Sequence, residues 1–255
     1  MTFRSLLLHG PDFNPNDEPK LEPGPPPPIQ FRHIALLLVG SLVGGSLVGF
    51  LAGEAAREFT HSKFALALVF GASLYGSFLV GYHWISKEQD WIGLRARFSP
   101  VSRKVLLLSA LGAFGILALI VSAAALLHWA GVKISHVENP AILPTRWAEM
   151  PMALLFICVL VPLTEELLFR GLLLDWLRQK VNVWIAAVTL SVLFSLLHFN
   201  PFASGAIGWL AFSDRFLVGL AASALAINYH SLRPSFVIHA TLNGIACIAS
   251  VFDGA

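Results

Sequence analysis

Long apolar stretches separated by short polar segments dominate the pattern of this 255-residue chain. A helix crosses a bilayer core with about 20 consecutive apolar residues, and seven stretches approach that length. They cover residues 34–53, 64–85, 105–129, 150–176, 183–199, 214–230 and 234–252. The last three are short or interrupted, so the pattern predicts about seven to eight spans. The predicted fold class is all-α, a polytopic transmembrane helical bundle.

Composition supports a membrane setting for these helices. Hydrophobic residues make up 56% of the chain and charged residues only 13%, whereas soluble domains carry about 25% charged residues. A net charge of +2 gives no electrostatic footprint for a nucleic acid. The lipid bilayer is therefore a predicted partner and nucleic acid is not. Cys158 and Cys247 lie in apolar stretches without metal-like spacing, which indicates packing.

The apolar pattern divides the chain into three segments. Residues 1–32 are rich in proline and acidic groups and are predicted to form a disordered tail. Residues 33–130 carry the N-terminal transmembrane helices, and residues 148–252 carry most of the chemistry described below. Glycines in the first two spans predict close helix packing. They are Gly40, Gly44, Gly45, Gly49, Gly71, Gly76 and Gly81.

Basic residues predict the orientation of the chain, because cytoplasmic loops carry an excess of lysine and arginine. With a cytoplasmic N-terminus, that side collects Arg4, Lys20, Arg32, Lys87, Arg95, Arg97, Arg103, Lys104, Arg178, Lys180 and Arg233. The opposite side collects Arg57, Lys63, Lys133 and Arg146. We therefore expect the N-terminus to lie in the cytoplasm.

Three charged residues interrupt the apolar stretch at 150–176, within the sequence T-E-E-L-L-F-R-G. A charged side chain at the centre of a span costs roughly 2.5–3.5 kcal/mol on insertion scales, so a compensating interaction is required. Glu166 and Arg170 are four residues apart on one helical face, which predicts a structural ion pair. Glu165 points about 100° away from Glu166. It is expected to find no partner on its own helix.

Polar side chains in the later stretches offer partners to Glu165. His198 ends the sequence F-S-L-L-H, and His239 and Asn243 share one face of H-A-T-L-N. An apolar site disfavours the charged form of a carboxylate, which suits Glu165 to take a proton from water as a general base. His198 fits the group that holds the same water. His239 and Asn243 fit hydrogen-bond donors to the oxyanion of a tetrahedral intermediate.

A metal site is the alternative for the same side chains. Glu165, His198 and His239 with one open position would suit a hydrolytic zinc ion, although the helical H-E-x-x-H signature is absent. The sequence leaves both mechanisms open. No cofactor is needed if the glutamate activates water directly, whereas the metal mechanism requires zinc.

Three motifs in this order carry a resemblance to a known family. They are E-E-x-x-x-R at Glu165–Arg170, F-x-x-x-H at Phe194–His198 and H-x-x-x-N at His239–Asn243. The set resembles the motifs of the CAAX-processing and bacteriocin-processing (CPBP, or Abi) intramembrane endopeptidases. The resemblance covers roughly Met150 to Ser250, so residues 148–252 are expected to form a catalytic core of transmembrane helices.

The resemblance implies an enzyme that hydrolyses a peptide bond in a membrane-associated or prenylated, CAAX-like peptide or protein. It implies that Glu165 and His198 activate water, that His239 and Asn243 stabilise the oxyanion, and that the Glu166 pair is structural. The chain is then expected in the bacterial inner membrane. Two alternatives remain. A proton- or ion-coupled transporter would also keep buried glutamate and histidine as a relay, and a non-catalytic scaffold or immunity protein would bind a partner instead.

The last apolar stretches raise a question about depth in the membrane. A straight helix over 183–199 places His198 near its outer end, whereas His239 lies near the inner start of its own span. We expect either an irregular re-entrant segment at 199–213 or helix boundaries several residues away. Asp214 and Arg215 follow Ser213 and are interpreted as the polar N-terminal cap of a helix.

Overall fold

The computed structural model describes residues 29–89, 92–133, 143–199 and 205–253. Within these ranges all regular elements are helices, which confirms the all-α prediction. The predicted tail lies outside the described residues up to position 28. The eight helices of the described ranges are α1 (Phe31–Ala56), α2 (Lys63–Glu88), α3 (Leu94–Arg97), α4 (Arg103–Trp129), α5 (Trp147–Leu177), α6 (Val183–Leu197), α7 (Ala206–Tyr229) and α8 (Arg233–Asp253).

Six helices of the described residues are long and apolar enough to cross a membrane: α1, α2, α4, α5, α7 and α8. Helix α6 is apolar but has only 15 residues, or about 22 Å at 1.5 Å per residue. Large apolar side chains such as Leu36, Leu107 and Leu197 are more than half exposed on the outside of the bundle. A surface of this kind is suited to lipid rather than water. The chain is an integral, multi-pass membrane protein.

The start of helix α7 differs from the sequence prediction. The helix begins at Ala206, directly after Gly205 with its positive φ of 77°, rather than at residue 214. Asp214 and Arg215 therefore lie inside the helix, where their side chains approach within 3.7 Å, and do not form its N-terminal cap. Of the segment predicted to re-enter, residues 206–213 are helical and residues 200–204 lie outside the described ranges.

Helix α5 is irregular around the charged residues. Two π-helical segments, Leu154–Leu160 and Leu167–Leu173, flank the α-helical segment Val161–Glu166. Pro162 lies in this α-helical segment and has no N–H to donate to the preceding turn. Single turns of π-helix occur frequently at functional sites because they change the direction of the side chains that follow.

A cluster of basic residues marks one end of the bundle, here called the basic end. The Leu232 N–H donates to the Arg97 carbonyl at 2.9 Å, and Arg233 Nε donates to the Phe98 carbonyl at 2.6 Å. Arg97 also forms an ion pair with Asp175 near the end of α5. These contacts join α3, α5 and the α7–α8 turn at one end.

Four of the seven predicted packing glycines support close helix contact. A Cβ at Gly45 would lie 2.8 Å from the Leu74 Cα, and one at Gly71 would collide with the Phe156 ring. Added Cβ atoms at Gly49 and Gly81 would also be closer than 3 Å to a neighbour. The prediction was wrong for three positions, where an added Cβ meets nothing within 4 Å. They are Gly40, Gly44 and Gly76.

Candidate active site

Glu165 lies in the middle of α5 and contacts side chains from three other helices. The Tyr75 hydroxyl of α2 donates to Glu165 Oε1 at 3.2 Å. His198 Nε2 lies 3.8 Å from the same oxygen, and His239 Nε2 lies 3.6 Å from Oε2. The Glu165 side chain is 11% exposed. The residue that the sequence left without a local partner is therefore the point where α2, α5, α8 and the end of α6 meet.

Glu166 forms the predicted pair with Arg170 and a second contact with His239. Oε1 lies 3.0 Å from Arg170 Nη1 and 2.9 Å from His239 Nδ1. Because a carboxylate oxygen can only accept, the Nδ1 atom of His239 carries the proton in this contact. The Glu166 side chain is completely buried. Glu166 therefore keeps one proton on Nδ1 of His239 and turns its Nε2 atom toward Glu165.

His198 also carries a proton on Nδ1, which here is held by a backbone carbonyl instead of a carboxylate. It directly follows the last residue of α6, and its Nδ1 atom lies 2.8 Å from the Phe194 carbonyl one turn earlier. A carbonyl only accepts, so Nδ1 carries the proton and the Nε2 atom of neutral His198 faces Glu165. The contacts of Glu165 also answer the depth question. The Nε2 atoms of His198 and His239 both lie within 3.8 Å of Glu165, so the two histidines lie at the same level of the bundle.

When both histidines are neutral, three hydrogen-bond acceptors face one another in the site. They are the Glu165 carboxylate and the Nε2 atoms of His198 and His239. The Tyr75 hydroxyl supplies one donor, whereas Oε2 of Glu165 is buried without a hydrogen-bond partner among the described residues. A group of acceptors in a buried site is stabilised by a molecule that donates two hydrogen bonds, as water does. The arrangement is suited to binding and deprotonating water.

Phe194 packs beneath both histidines, which explains the first position of the F-x-x-x-H motif. Its ring centroid lies 4.4 Å from that of His198 and 5.7 Å from that of His239, the latter at an interplanar angle of 89°. The Arg170 guanidinium carbon lies 4.9 Å from the same ring centroid, a favourable cation–π distance. Because Phe194 is completely buried, it holds these side chains against one rigid surface.

Asn243 contacts the irregular part of α5. Its Nδ2 atom donates to the Ile157 carbonyl at 2.8 Å. In the first π-helical segment the Val161 N–H donates to the Phe156 carbonyl five residues earlier. The next donor in that register would be Pro162, which has no N–H. Asn243 therefore takes the place of the missing donor, and the second proton on its Nδ2 atom remains for another acceptor.

Gly219 allows α7 to support the ion pair. The second guanidinium nitrogen of Arg170, Nη2, donates to the Gly219 carbonyl at 3.0 Å. A Cβ at Gly219 would lie 3.1 Å from both Cα and Cβ of Ser191 on α6. The absence of a side chain thus lets α6 and α7 approach closely enough for the carbonyl to reach the buried guanidinium.

A cavity of about 440 Å³ opens beside Glu165, between α1, α2, α5 and the end of α6. It is called the site groove here. Its walls are mainly apolar, with Glu165, His198, Tyr75, Thr164 and Ser41 as the polar members. Apolar members include Leu38, Leu42, Phe78, Leu168 and Leu197. The groove places an apolar surface directly next to the convergent acceptors.

The alternative of a zinc centre concerns the arrangement of three side chains in the site. Glu165, His198 and His239 are chemically suitable zinc ligands. Within the described residues, however, no group of three or more His, Cys, Asp or Glu side chains is arranged to hold a metal ion. The two histidine Nε2 atoms approach different oxygens of Glu165.

Tyr75 is the member of the site that the sequence did not predict. It lies in the apolar sequence G-A-S-L-Y-G-S of α2, 90 residues before Glu165, and belongs to no motif. A hydroxyl in the middle of an apolar span was its one signal, since such a group needs a buried partner. The sequence also did not predict the contact between Glu166 and His239.

The comparison with protein families finds a match over the part of the chain that carries most of the site residues. Residues 145–245 match the family described as type II CAAX prenyl endopeptidase, Rce1-like. This segment, less than half of the chain, is thus similar to that family. It contains Glu165, His198, His239 and Asn243, whereas Tyr75 lies outside it. The match confirms the family resemblance that the three motifs predicted.

A curated relative matches part of this chain. An uncharacterized 24.3 kDa protein of Escherichia coli is 34% identical over 93 residues, which is 36% of this chain and 41% of the relative. The chain thus matches less than half the length of that protein. No solved structure matches the chain significantly.

Proposed function

We propose that this chain is an intramembrane endopeptidase in which Glu165 and His198 activate water. The observation that carries the proposal is the convergence of the Glu165 carboxylate and the two histidine Nε2 atoms within 3.8 Å. The convergence lies in a segment that matches a family of CAAX prenyl endopeptidases. Tyr75 orients the carboxylate and Glu166 orients His239.

The proposed reaction begins with a water molecule that donates to Glu165 and His198. Glu165 takes a proton as the water oxygen forms a bond to the carbonyl carbon of the scissile peptide. His239 already donates its Nδ1 proton to Glu166, so it donates to the resulting oxyanion only after its Nε2 atom has taken up a second proton from bulk water before the reaction. That proton stays on His239 throughout the turnover. The Glu166 carboxylate compensates its positive charge, and Asn243 supplies a second donor. The protonated Glu165 then gives its proton to the leaving nitrogen as the C–N bond breaks.

The proposed substrate is a membrane-associated or prenylated, CAAX-like peptide or protein. The site groove supports this class because its apolar walls end at the polar group of Glu165 and His198. An apolar chain lying along the groove would exchange lipid contacts for protein contacts and stay out of water, so its transfer from the bilayer carries no hydration cost. Such a substrate reaches the site from the bilayer, where it is already concentrated.

The experiment is cleavage of membrane-anchored and prenylated peptides by the purified protein in lipid vesicles. Wild type is compared with Glu165→Gln, His198→Ala and the control Glu149→Gln, which changes a glutamate at the start of the same helix. We expect wild type and the control to cut, and the two site variants to lose at least a hundredfold in rate. Cleavage of equal rate in Glu165→Gln would overturn the proposal and favour a non-catalytic scaffold.

A chelator arm separates the two forms of the mechanism. Activation of water by the glutamate predicts full cleavage in the presence of EDTA, whereas a metal enzyme loses activity and regains it with added zinc. Proton-coupled transport, the other alternative, predicts substrate-dependent pH changes inside sealed vesicles without any cleavage product. Each of the three outcomes is distinct in the same vesicle preparation.

We propose that the protein lies in a bacterial inner membrane with its N-terminus in the cytoplasm. Basic residues of separate loops meet at the basic end through contacts such as Arg97 to Leu232 and Arg233 to Phe98. Their convergence supports placing that end in the cytoplasm. Labelling of single cysteines in intact cells tests this: a cysteine at Arg95 should be protected from an impermeant reagent, and one at Arg57 should react.

A further inference from the structure

A second cavity, of about 150 Å³, lies at the basic end. It is enclosed by α3, the last turns of α5 and the turn between α7 and α8. Its walls include Arg97, Arg170, Asp175, Arg178 and His230. None of its described lining residues also lines the site groove. The cavity, here called the arginine cavity, is therefore separate from the space beside Glu165.

The charges of the arginine cavity are not balanced. Three guanidinium groups line it together with one carboxylate, that of Asp175. Asp175 already pairs with Arg97 through one oxygen and with Arg178 through the other, the latter at 3.0 Å. Arg170 is neutralised from behind the cavity by Glu166. A net positive charge remains at the cavity wall, since one carboxylate faces two arginines.

Two of the arginines are buried with donors that have no partner. The Arg97 side chain is 8% exposed and the Arg170 side chain 1% exposed. The Nε–H groups of both residues have no hydrogen-bond acceptor among the described residues. A buried charged donor without an acceptor costs at least as much as a lost hydrogen bond. Both residues line the same cavity, so an anion bound there is the candidate acceptor for both donors.

The position of the arginine cavity favours phosphate as this anion. Guanidinium groups bind phosphate through short, charge-assisted hydrogen bonds. The cavity lies at the basic end, where helix ends and loops meet, and basic pockets between transmembrane helices typically hold lipid head groups. Arg178 and His230 are exposed at its mouth, which provides access from outside the bundle.

We propose that the arginine cavity is a phosphate-binding site in which Arg97 and Arg170 hold the anion through their Nε–H groups. The phosphate belongs either to a phospholipid head group or to free inorganic phosphate, since both present the same oxygens. The site stands independently of the proposed peptidase activity. Because Arg170 also holds Glu166, bound phosphate is expected to stabilise the folded protein at the helix that carries Glu165.

The test uses the purified full-length protein and three variants at consecutive positions of α3. Arg97→Gln removes a proposed ligand. Ala96→Glu adds a negative charge at an exposed position of the cavity wall and disturbs no buried group. Arg95→Gln is the matched control, because Arg95 is exposed on the same helix and does not line the cavity. Thermal unfolding is measured with increasing phosphate at constant ionic strength, using chloride to balance it.

A second arm of the test uses lipid. The same four proteins are reconstituted in vesicles of phosphatidylcholine alone, or with a third of the lipid replaced by phosphatidic acid. Binding to the folded state raises the unfolding temperature in a saturable way, and we expect a rise of about 2–4 °C. Wild type and Arg95→Gln should show it, whereas Ala96→Glu and Arg97→Gln should not.

The two arms identify the source of the phosphate. A saturable rise with inorganic phosphate in lipid-free detergent assigns the site to free phosphate. A rise with phosphatidic acid alone assigns it to a lipid head group. Equal shifts in all four proteins, or no shift in wild type in either arm, would overturn the proposal. If Arg97→Gln fails to fold, the comparison of Ala96→Glu with Arg95→Gln still decides it.

Discussion

The Nδ1 atom of His239 lies 2.9 Å from Oε1 of Glu166, so the second glutamate of the motif holds a histidine of the site as well as the arginine on its own helix. The same oxygen lies 3.0 Å from Arg170 Nη1. One buried carboxylate oxygen therefore links the charge pair of α5 to α8. Glu166 thus provides the polar contact between α5 and α8, and Glu165 is left to face the groove.

Replacing Glu166 with glutamine is expected to destabilise the protein strongly. The variant leaves the buried Arg170 charge without a carboxylate, and breaking a buried pair from one side costs about 3–5 kcal/mol. Equilibrium unfolding in detergent measures the loss. The double variant Glu166→Gln/Arg170→Met should recover part of it, because the uncompensated charge is gone. If the double variant is less stable than the single one, the ion pair is not the reason for burying Glu166.

Tyr75→Phe is expected to lower kcat of the proposed peptidase about tenfold. The change removes the hydroxyl that donates to Glu165, and a hydrogen bond to a charged group contributes about 1.5 kcal/mol at the low end of its range. KM and the unfolding temperature should change little, since the ring stays packed near Phe156. Tyr82→Phe is the matched control on the same helix, because its hydroxyl donates to the Ile92 carbonyl instead. An equal drop in kcat for both variants would contradict a specific role for Tyr75.

Local features of the site could be predicted from the sequence, and contacts between distant helices could not. The Glu166–Arg170 pair follows from spacing within one helix. The Tyr75 contact spans 90 residues, and no spacing rule connects α2 to α5. Once Glu166 had been paired with Arg170, no unsatisfied group pointed to His239. That contact depends on the packing of α8 against α5.

The start of α7 shows a different limit of sequence reasoning. The sequence F-N-P-F-A-S-G contains several residues that favour turns, and its polar and apolar positions show no clear period. Only the last of them, Gly205, directly precedes the helix. The apolar residues 206–213 suffice to continue α7 in the N-terminal direction, so Asp214 and Arg215 became interior residues. Position-specific turn geometry, rather than composition, decided this boundary.

Gly219→Ala is expected to destabilise the protein by about 1–3 kcal/mol, the typical range for overpacking a core. The new methyl group would lie 3.1 Å from Ser191 Cα, so α7 must move away from α6. This movement weakens the hydrogen bond from Arg170 Nη2 to the carbonyl of residue 219. Gly76→Ala is the control: it is also inside a helix, and its Cβ meets nothing within 4 Å. There we expect a small change or a gain of about 0.5–1 kcal/mol from the higher helix propensity of alanine. Thermal unfolding of both variants in the same detergent measures the difference, and equal stability would contradict the packing argument.

Asn243 is expected to have separable structural and catalytic roles. Asn243→Ala removes the donor to the Ile157 carbonyl, and an unsatisfied buried carbonyl costs about 1–3 kcal/mol. Pro162→Ala supplies a backbone N–H in the register where the π-helical segment has none. In that background Asn243→Ala should cost less stability, because the new backbone N–H can donate to the carbonyl of Ile157. Peptide cleavage should stay low in both backgrounds, since the oxyanion donor is absent from each. Equal loss of stability in the two backgrounds would show that Asn243 does not replace the N–H that Pro162 lacks.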